Sequence, residues 1–570
     1  MRWVMLSGLF LLSVAFSSFY ATSDPYPQGY FDWPVKHAVS LSATFGELRP
    51  DHFHAGLDIR SSKGAAGDPL YAAAEGYVSR VRVYGRGYGK ALYIAHPNGY
   101  TTVYGHLDQF TDEVEAYIKN EQYSRRSFEV DLYLPAGLFS FQKGQYIGKM
   151  GNSGSSRGAH LHFEVRESAN DKALNPLLFG FPLLDDMAPK LFSLKVLKMD
   201  GLGIHEAKTQ TITLGFDGGY YHPEPETLTV NTPFAAFALK AYDQHDSPSN
   251  RNGIYSMEMK VDGKPDFKFV LDGVLFEDTR YVNAHMDYEE QVSKRGYFHR
   301  CFRLPGNQLP IYPVEANQGI VSLEPGEVKL LEIEVSDPFE NTSRLRFWIR
   351  RKGEERLPLP GPFQYYVYQD RDNLVQTKDC SLIIPRGTVY EDLPLQFRKA
   401  SAKGLGYLSD VFHIHDYFTP AHAYFNLSIK GNEEEKAFIA YFDAKGRIQN
   451  CGGVWQDGSL SAPVRQFGAY AILVDREAPT VTPSYFRYDM RKRSSMSFKI
   501  IDNYRTASNL GGMRYHATVD GEWILMEYDG KSDRIIHRFD ERIPPGEHRL
   551  RLEVSDVLGN ETVLEMDFIR

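Results

Sequence analysis

The sequence predicts a mainly β protein with several domains: a β-rich N-terminal domain followed by three β-sandwich-like domains, two of which repeat each other. Three observations support this fold class. The chain has 570 residues, which is too long for a single hydrophobic core. Short runs of alternating apolar and polar residues, bounded by Gly, Asp and Asn, recur along it, whereas helical periodicity is weak. Self-comparison also finds an internal repeat.

The internal repeat consists of three pairs of matching segments that occur in the same order. DDMAPKL matches DREAPTV, GIYSMEMKVDG matches GMRYHATVDG, and EVSDPFEN matches EVSDVLGN. We therefore predict two copies of one Ig-like β-sandwich, at residues 186–350 and 475–570. The first copy is longer by about 39 residues, and we place this insertion in the Tyr-rich segment 278–312.

Between the two copies, residues 351–474 contain further short alternating runs, such as SLIIPRGTVY and AYFNLSIKG, and predict a third β domain. The strongest helix signal lies in the N-terminal domain, over Thr111–Arg126. This segment opens with Thr and two acidic residues and ends with two arginines, which suits the dipole of a helix.

The N-terminal segment, MRWVMLSGLFLLSVAFSSFYATSDPYP, combines one Arg, an apolar run and a stretch of small and polar residues. This pattern is typical of a secretory signal peptide, which we predict at residues 1–22. A membrane anchor is the alternative, but the apolar run is shorter than the roughly 20 residues that a spanning helix needs. We expect export to the periplasm, the cell envelope or the extracellular space, without stable membrane insertion.

The charge of the chain argues against nucleic acid as a partner, since the net charge is −9 and no run of basic residues occurs. Three cysteines, Cys301, Cys380 and Cys451, are too few and too widely spaced for a disulfide framework or a zinc-finger pattern. Cys380 and Cys451 either pair in an oxidising compartment or remain buried thiols, and the sequence leaves both alternatives open.

Residues able to do chemistry occur in three blocks of the N-terminal domain. HFHAGLDIR carries His54 and Asp58, VYGHLDQF carries His106, and RGAHLHFEVR carries His160 and His162. Side chains on a strand alternate between its faces, so the two histidines of the last block share one face and the apolar residues between them face the core. A half-exposed strand would explain a lone His-x-His pair, but the three blocks together indicate a site.

Imidazole nitrogens and carboxylate oxygens are the ligands that hydrolytic zinc sites use, with three protein ligands and a fourth position left for water. His54, Asp58 and one histidine of the His-x-His pair would form such a His₂Asp site. Imidazoles titrate near neutral pH, so the other histidines are suited to acid–base work beside the metal.

The three blocks resemble the LytM/lysostaphin-type zinc endopeptidases, which cleave peptide bridges in bacterial peptidoglycan. The resemblance covers Tyr26 to Asp185, and we predict the peptidase domain at residues 23–185. It implies a β-rich domain whose antiparallel sheets leave an open groove. The family's H-x-x-x-D pattern and the second histidine of H-x-H bind zinc, which implies one Zn²⁺ per chain on the matching residues: His54, Asp58 and His162.

The same resemblance implies that His106 and His160 are the catalytic pair. Two features depart from the family pattern. Ala159 stands where family members usually carry Pro, and the segment Asp112–Gln142 is expected to place a helix and an extra strand beside the groove.

Three further polar residues lie near these motifs. Glu164 could serve as a general base, but we interpret it as a residue that orients a ligand or pairs with a nearby Arg. His52 and His96 match neither the ligand nor the catalytic positions of the family, and we interpret them as ordinary polar residues or, at most, groove-lining ones.

We therefore predict an exported zinc metalloendopeptidase that acts on peptidoglycan stems and cross-links through a metal-activated water. One alternative is a scaffold that activates other wall hydrolases, as family members that have lost zinc ligands do. Another is an envelope adhesin or assembly protein built on the C-terminal β domains, with an envelope protein as partner. The complete ligand set favours the enzyme, and the β domains are interpreted as spacers, substrate-positioning modules or partner-binding surfaces.

Overall fold

The computed structural model describes residues 25–199, 201, 203, 208–245, 250–355, 357, 363–402, 404, 406–507 and 511–570. Strands make up 48% of the chain and helices 7%, so the predicted mainly β class is confirmed. The predicted signal peptide, residues 1–22, lies outside the described residues. Within the described ranges, no helix has the length and apolarity needed to cross a bilayer.

The N-terminal domain is built on one large sheet. Its elements are β1 (Leu41–Ala43), β2 (Leu48–Arg49), β3 (His52–Phe53), β4 (Leu57–Arg60), β5 (Pro69–Tyr71), β6 (Gly76–Val83), β7 (Lys90–Ala95), β8 (Tyr100–Phe110), α1 (Asp112–Arg125), β9 (Val130–Tyr133), β10 (Ser140–Phe141), β11 (Tyr146–Met150), β12 (His160–Glu167), β13 (Ala173–Leu174) and a 3₁₀ turn at Pro176–Phe179. The main strand order is β1-β4-β12-β8-β7-β6-β10.

Strand β12 lies inside this sheet, with β4 on one side and β8 on the other, both antiparallel to it. Leu161, Phe163 and Val165 are completely buried and form its core face. The residues between them point to the opposite face, as the alternation of the sequence predicts. Helix α1 occupies the predicted helical segment, beginning after Thr111 and ending at Arg126, which has the left-handed conformation of a C-cap.

The first predicted repeat follows. Its elements are β14 (Lys190–Met199), β15 (Lys208–Asp217), β16 (Tyr220–Pro223), β17 (Thr227–Val230), β18 (Phe234–Tyr242), β19 (Ser256–Val261), β20 (Lys264–Val270), β21 (Gly273–Val274), a 3₁₀ turn (Thr279–Tyr281), α2 (Val282–His285), α3 (Tyr288–Lys294), β22 (His299–Arg300), β23 (Val314–Glu315), a 3₁₀ turn (Ala316–Gly319), β24 (Val321–Ser322), β25 (Val328–Ser336) and β26 (Thr342–Arg351). Strands β15 and β16 join its halves into one continuous 12-stranded sheet.

The middle β domain has two five-stranded sheets. Its strands are β27 (Tyr365–Val367), β28 (Asn373–Gln376), β29 (Cys380–Ile384), β30 (Leu393–Leu395), β31 (Phe397–Ala400), β32 (Val411–Ile414), β33 (Pro420–Lys430), β34 (Ala437–Phe442), β35 (Ile448–Asn450), β36 (Val454–Gln456), β37 (Ser459–Gln466) and β38 (Gly468–Val474). Cys380 and Cys451 are free thiols, and so is Cys301 of the preceding domain.

The second predicted repeat has two four-stranded sheets. Its strands are β39 (Thr480–Tyr485), β40 (Ser495–Ile501), β41 (Arg514–Val519), β42 (Glu522–Trp523), β43 (Glu527–Asp529), β44 (Arg534–Arg538), β45 (Glu547–Ser555) and β46 (Glu561–Ile569). The proposed limits of the four folding units, at residues 185, 350 and 474, stay predictions.

Both predicted repeats pack against the N-terminal domain. Strand β21 of the first copy pairs with β13 and so extends the N-terminal sheet. The second copy shares a hydrophobic core cluster with the N-terminal domain. At that contact Tyr123 of α1 meets Trp523 edge-on, with ring centroids 5.1 Å apart, and Lys119 pairs with Asp540 at 2.6 Å. The chain therefore folds back so that its last domain rests on its first.

The backbone contact between these two domains predicts that Gly85→Ala will loosen the last domain. A Cβ on Gly85 would lie 2.4 Å from Tyr528 Cδ1 and 2.9 Å from Tyr528 O, and such overpacking typically costs about 1–3 kcal/mol. We expect faster limited proteolysis between residues 474 and 480. Gly353→Ala is the matched control, because its Cβ would meet its nearest neighbour, Asn231, at an ordinary 3.4 Å. Equal cleavage rates for both variants would contradict the prediction.

Candidate metal centre

Three of the predicted site residues converge on one point. Asp58 on β4 and His162 on β12 are directly paired in the antiparallel register, so their side chains share a face. His54 reaches the same point from the loop between β3 and β4. His54 Nε2 lies 3.1 Å from both Asp58 Oδ1 and His162 Nδ1, and His162 Nδ1 lies 2.9 Å from Asp58 Oδ1.

Gly56 allows the His54–Asp58 loop to come this close to β12. A Cβ at this position would lie 2.3 Å from the carbonyl oxygen of Phe163 and 2.8 Å from Cγ of Glu164. Any larger residue would push the loop away from the strand that carries His162. The glycine in HAGLD is therefore required by the approach of the two segments.

In both His54 and His162, the ring nitrogen that points away from the three converging residues already donates a hydrogen bond. His54 Nδ1 lies 2.8 Å from the carbonyl oxygen of Thr44, which can only accept, so Nδ1 carries the proton. His162 Nε2 lies 2.7 Å from Glu164 Oε1 and donates to that carboxylate. Once His162 Nδ1 has lost its proton, two lone pairs and the Asp58 carboxylate face one another at about 3 Å, an arrangement that a cation between them would stabilise. This donor set fits a zinc ion.

Glu164 is completely buried and ionised. It accepts from His162 Nε2, from the Tyr88 hydroxyl at 2.5 Å and from Arg166 Nε at 2.6 Å. Burial alone would raise the pKa of Glu164, but Arg166 and His162 outweigh it and lower that pKa to about 2. Glu164 thus orients His162 and pairs with Arg166, the two contacts expected from the sequence.

His106 and His160 stand beside the three converging residues. The ring centroid of His106 lies 4.8 Å from that of His160 and 5.9 Å from that of His162. His160 Nε2 lies 3.5 Å from Asp58 Oδ1. His106 has a left-handed backbone (φ 64), which is unfavourable for a residue with a Cβ and is typical of functional positions.

The protonation of His106 follows from its surroundings. Its Nδ1 donates to the carbonyl oxygen of Ser153 at 2.9 Å, which leaves Nε2 with a lone pair. Burial and then the neighbouring imidazoles of His162 and His160 lower the pKa of His106 to about 3, so it is neutral at physiological pH. His160 Nδ1 likewise faces a carbonyl oxygen, that of Gly158, at 2.9 Å.

All five residues line one groove of about 1250 Å³. Six arginines surround it: Arg49, Arg60, Arg82, Arg86, Arg157 and Arg295. Among the residues described, Asp58 is the one acidic side chain of the lining. The groove of this acidic protein is thus strongly basic. His52 also lines it, whereas His96 bonds Glu75 O and Thr102 elsewhere.

The segment Asp112–Gln142 contains the expected helix, α1, and an extra strand, β9, which pairs with β6 at the groove-lining Arg82. None of the groove lining comes from this segment, because α1 packs on the last domain and β9 pairs with β6. Gln291, Arg295 and Tyr297 of the first repeat line the groove instead. These three residues belong to the insertion that the sequence identified as Tyr-rich. The sequence did not indicate where this insertion would pack.

Two histidines and one aspartate that converge in a groove form a candidate metal site. Consistent with this, a model of peptidase family M23 matches residues 52–123, which confirms the resemblance to LytM-type peptidases for the N-terminal domain. A Zu5-like domain model matches residues 364–475, in the middle β domain.

Three curated relatives illustrate the match. An uncharacterized metalloprotease of Haemophilus influenzae is 29% identical over 164 residues, which cover 27% of this chain and 28% of that protein. The DD-carboxypeptidase/endopeptidase Mpg of Neisseria meningitidis serogroup B is 29% identical, over 27% of this chain and 26% of its own. The murein hydrolase activator NlpD of Escherichia coli is 30% identical, over 27% and 32%. The chain thus spans about a quarter to a third of these relatives.

Among solved structures, a zinc-containing peptidase from Vibrio cholerae is 24% identical, over 26% of this chain and 39% of that one, with a TM-score of 0.19. The catalytic domain of lysostaphin from Staphylococcus simulans is 21% identical, over 25% of this chain and 91% of that one, with a TM-score of 0.18.

The centre predicts that zinc binding tightens as the pH rises. Burial would lower the pKa of His162, but hydrogen bonds to Asp58 and Glu164 outweigh it and raise that pKa to about 9 in the metal-free protein. Below pH 9 zinc must displace this proton. We expect the zinc dissociation constant, measured by chelator competition, to fall about tenfold per pH unit from about pH 6.5 to 8.5. A constant value across this range would show that His162 holds no proton that the metal displaces.

Proposed function

We propose that the N-terminal domain is a zinc-dependent endopeptidase that hydrolyses peptide cross-links of bacterial peptidoglycan. The observation that carries the proposal is the convergence of His54 Nε2, Asp58 Oδ1 and His162 Nδ1, with the opposite nitrogen of each imidazole engaged as a donor. In this proposal those three residues hold one zinc ion, and the protein acts after export to the periplasm or cell envelope.

When bound, zinc supplies a water of lowered pKa and polarises the scissile carbonyl. His106 and His160 each donate through Nδ1 to a backbone carbonyl, so each presents the lone pair of Nε2 to the groove chemistry. His160 Nε2 is placed to accept a proton from the attacking water, whereas His106, whose pKa is lowered to about 3, positions the water by accepting a hydrogen bond. The imidazolium formed then stabilises the substrate oxyanion and returns the proton to the leaving amine.

The six arginines of the groove favour a peptide that carries free carboxylates. Cross-linked stem peptides of peptidoglycan have such groups along their length, whereas an oligoglycine bridge is neutral between its ends. We therefore propose directly cross-linked stem peptides as the substrate class.

An activator role is the second candidate, because one group of relatives is named murein hydrolase activators. The complete ligand set favours catalysis in this chain. A zinc-loaded protein that cleaves nothing, yet accelerates another wall hydrolase, would shift the proposal to the activator role.

The test separates metal binding from chemistry in matched histidine variants. His54→Ala and His162→Ala should lose zinc and activity together. His106→Ala and His160→Ala should retain zinc but lose about 10²- to 10³-fold in turnover of soluble cross-linked muropeptides, because each removes a group that acts on the transition state. His516→Ala, on the surface of the last domain, should leave both unchanged.

The readouts are zinc content by elemental analysis and product masses from muropeptides, with pentaglycine as the neutral comparison substrate. Loss of zinc from His160→Ala would reverse the roles of His160 and His162. Normal turnover by His160→Ala would show that His160 is not a catalytic residue. Faster cleavage of pentaglycine than of muropeptides would contradict the substrate class.

A further inference from the structure

Two clusters of three aspartates, one at each predicted repeat, share no residue with the histidine centre. Five of the six aspartates are buried and Asp185 is half-buried. In each cluster, one carboxylate oxygen of every member lies within 4.8 Å of those of the other two. The clusters are Asp185, Asp243 and Asp337 in the first copy, and Asp475, Asp502 and Asp556 in the second. The first and third members belong to the repeat motifs DDMAPKL/DREAPTV and EVSDPFEN/EVSDVLGN.

The two clusters occupy equivalent places in the two copies. The first Asp precedes the first strand of the copy, which is β14 or β39. The second directly follows the next paired strand, β18 or β40, and the third directly follows β25 or β45. Each cluster thus joins the segment that enters the copy to the ends of two of its strands.

Hydrogen bonds position the third Asp identically in both copies. The Asn560 side chain donates to the backbone oxygen of Asp475 and to Asp556 Oδ2, at 3.1 and 2.7 Å. Asn341 donates in the same way to Asp185 O and Asp337 Oδ2, at 3.0 and 2.8 Å. Such bonds orient a carboxylate but bring no positive charge to the cluster.

Several buried oxygens at these clusters have no hydrogen-bond partner within the part of the chain that the structure describes. In the first copy, Oδ1 of Asp243 is unpartnered on a residue that is 3% exposed. Asn252, which is fully buried and pairs directly with Asp243 across a β-bridge, also has an unpartnered side-chain oxygen. In the second copy, Asp475 Oδ2 and Asp502 Oδ1 are unpartnered on residues that are 2% and 6% exposed.

Unpartnered buried carboxylates are costly unless a cation lies among them. Burial, together with the carboxylates of Asp337 and Asp185, raises the pKa of Asp243 to about 8 in the ion-free protein. Burial and the neighbouring aspartates likewise raise the pKa of Asp502 to about 6.

We propose that each predicted repeat binds one Ca²⁺ ion in its aspartate cluster. Carboxylate and amide oxygens are the ligands that this hard cation prefers, and each cluster of three consists of carboxylates alone. The ion ties the segment entering each copy to two strand ends. Both copies pack on the N-terminal domain, and the first copy also lines the groove, so calcium in the first cluster would stabilise one wall of the groove.

Calcium titration of the full-length, zinc-loaded protein tests this site. After removal of calcium by a selective chelator, isothermal titration calorimetry should show two Ca²⁺ per chain, one for each cluster, with dissociation constants of about 10⁻⁶ to 10⁻³ M. Saturating Ca²⁺ should raise the unfolding temperature by about 3 °C or more. Mg²⁺ at the same concentration is the specificity control, and an equal response to it would contradict a calcium site.

Asparagine variants assign the binding to the clusters. Asp243→Asn and Asp502→Asn should each remove one Ca²⁺, and the double variant should remove both together with the thermal response. Without calcium these variants should unfold at or above the wild-type temperature, because each removes a carboxyl whose ionised form is disfavoured by burial and by the neighbouring aspartates. Asp567→Asn, on the exposed last strand, is the matched control and should bind normally. Absence of calcium binding by the wild-type protein, or normal binding by the double variant, would overturn the proposal.

Discussion

The hydrogen bond from His162 Nε2 to Glu164 is the interaction on which the metal centre depends. It determines that His162 Nδ1, rather than Nε2, faces Asp58 and His54. Glu164 can play this part because Arg166 and Tyr88 keep its buried carboxylate ionised and fixed. Removing the negative charge of Glu164 would leave His162 free to rotate or change tautomer, and the three ligand atoms would no longer converge.

The domains beyond the peptidase domain form part of the groove region. The first repeat contributes Gln291, Arg295 and Tyr297 to the groove lining, and the last domain rests on α1 and on the loop at Gly85. In the proposed function, the first repeat therefore helps to position substrate in the groove. The proposed calcium sites lie where the chain enters each repeat, so they would stiffen this arrangement without touching the histidine centre.

Much of the site could be predicted because it depends on local pattern. Strand alternation placed His160 and His162 on one face, and the capping pattern placed α1 over Thr111–Arg126. The tautomers could not be predicted, because they depend on partners that only the fold brings close, such as Tyr88, which is 76 residues from Glu164. The groove residues of the first repeat could not be predicted either, because they too are brought to the site only by the fold.

The aspartate clusters, too, could be predicted from the sequence only in part. The repeat motifs identified the first and third aspartates of each cluster as corresponding positions. From the sequence, however, these motifs indicated only where each repeat begins and ends. Asp243 and Asp502 stand in different local sequences, YDQH and IDNY, so no motif linked them before the strands placed them together. A cluster of side chains from three distant segments can be recognised only from the folded structure.

The central claim is that His54, Asp58 and His162 hold zinc, and X-ray absorption at the zinc edge tests it most directly. For the wild-type protein loaded with one equivalent of zinc, we expect a four-coordinate ion. Its neighbours should be nitrogen and oxygen atoms at about 2.0–2.2 Å, including two imidazoles. We also expect His162→Ala, given the same equivalent of zinc and then freed of unbound metal, to show no zinc signal from this site. Sulfur neighbours at about 2.3 Å, or an unchanged spectrum in His162→Ala, would contradict the claim.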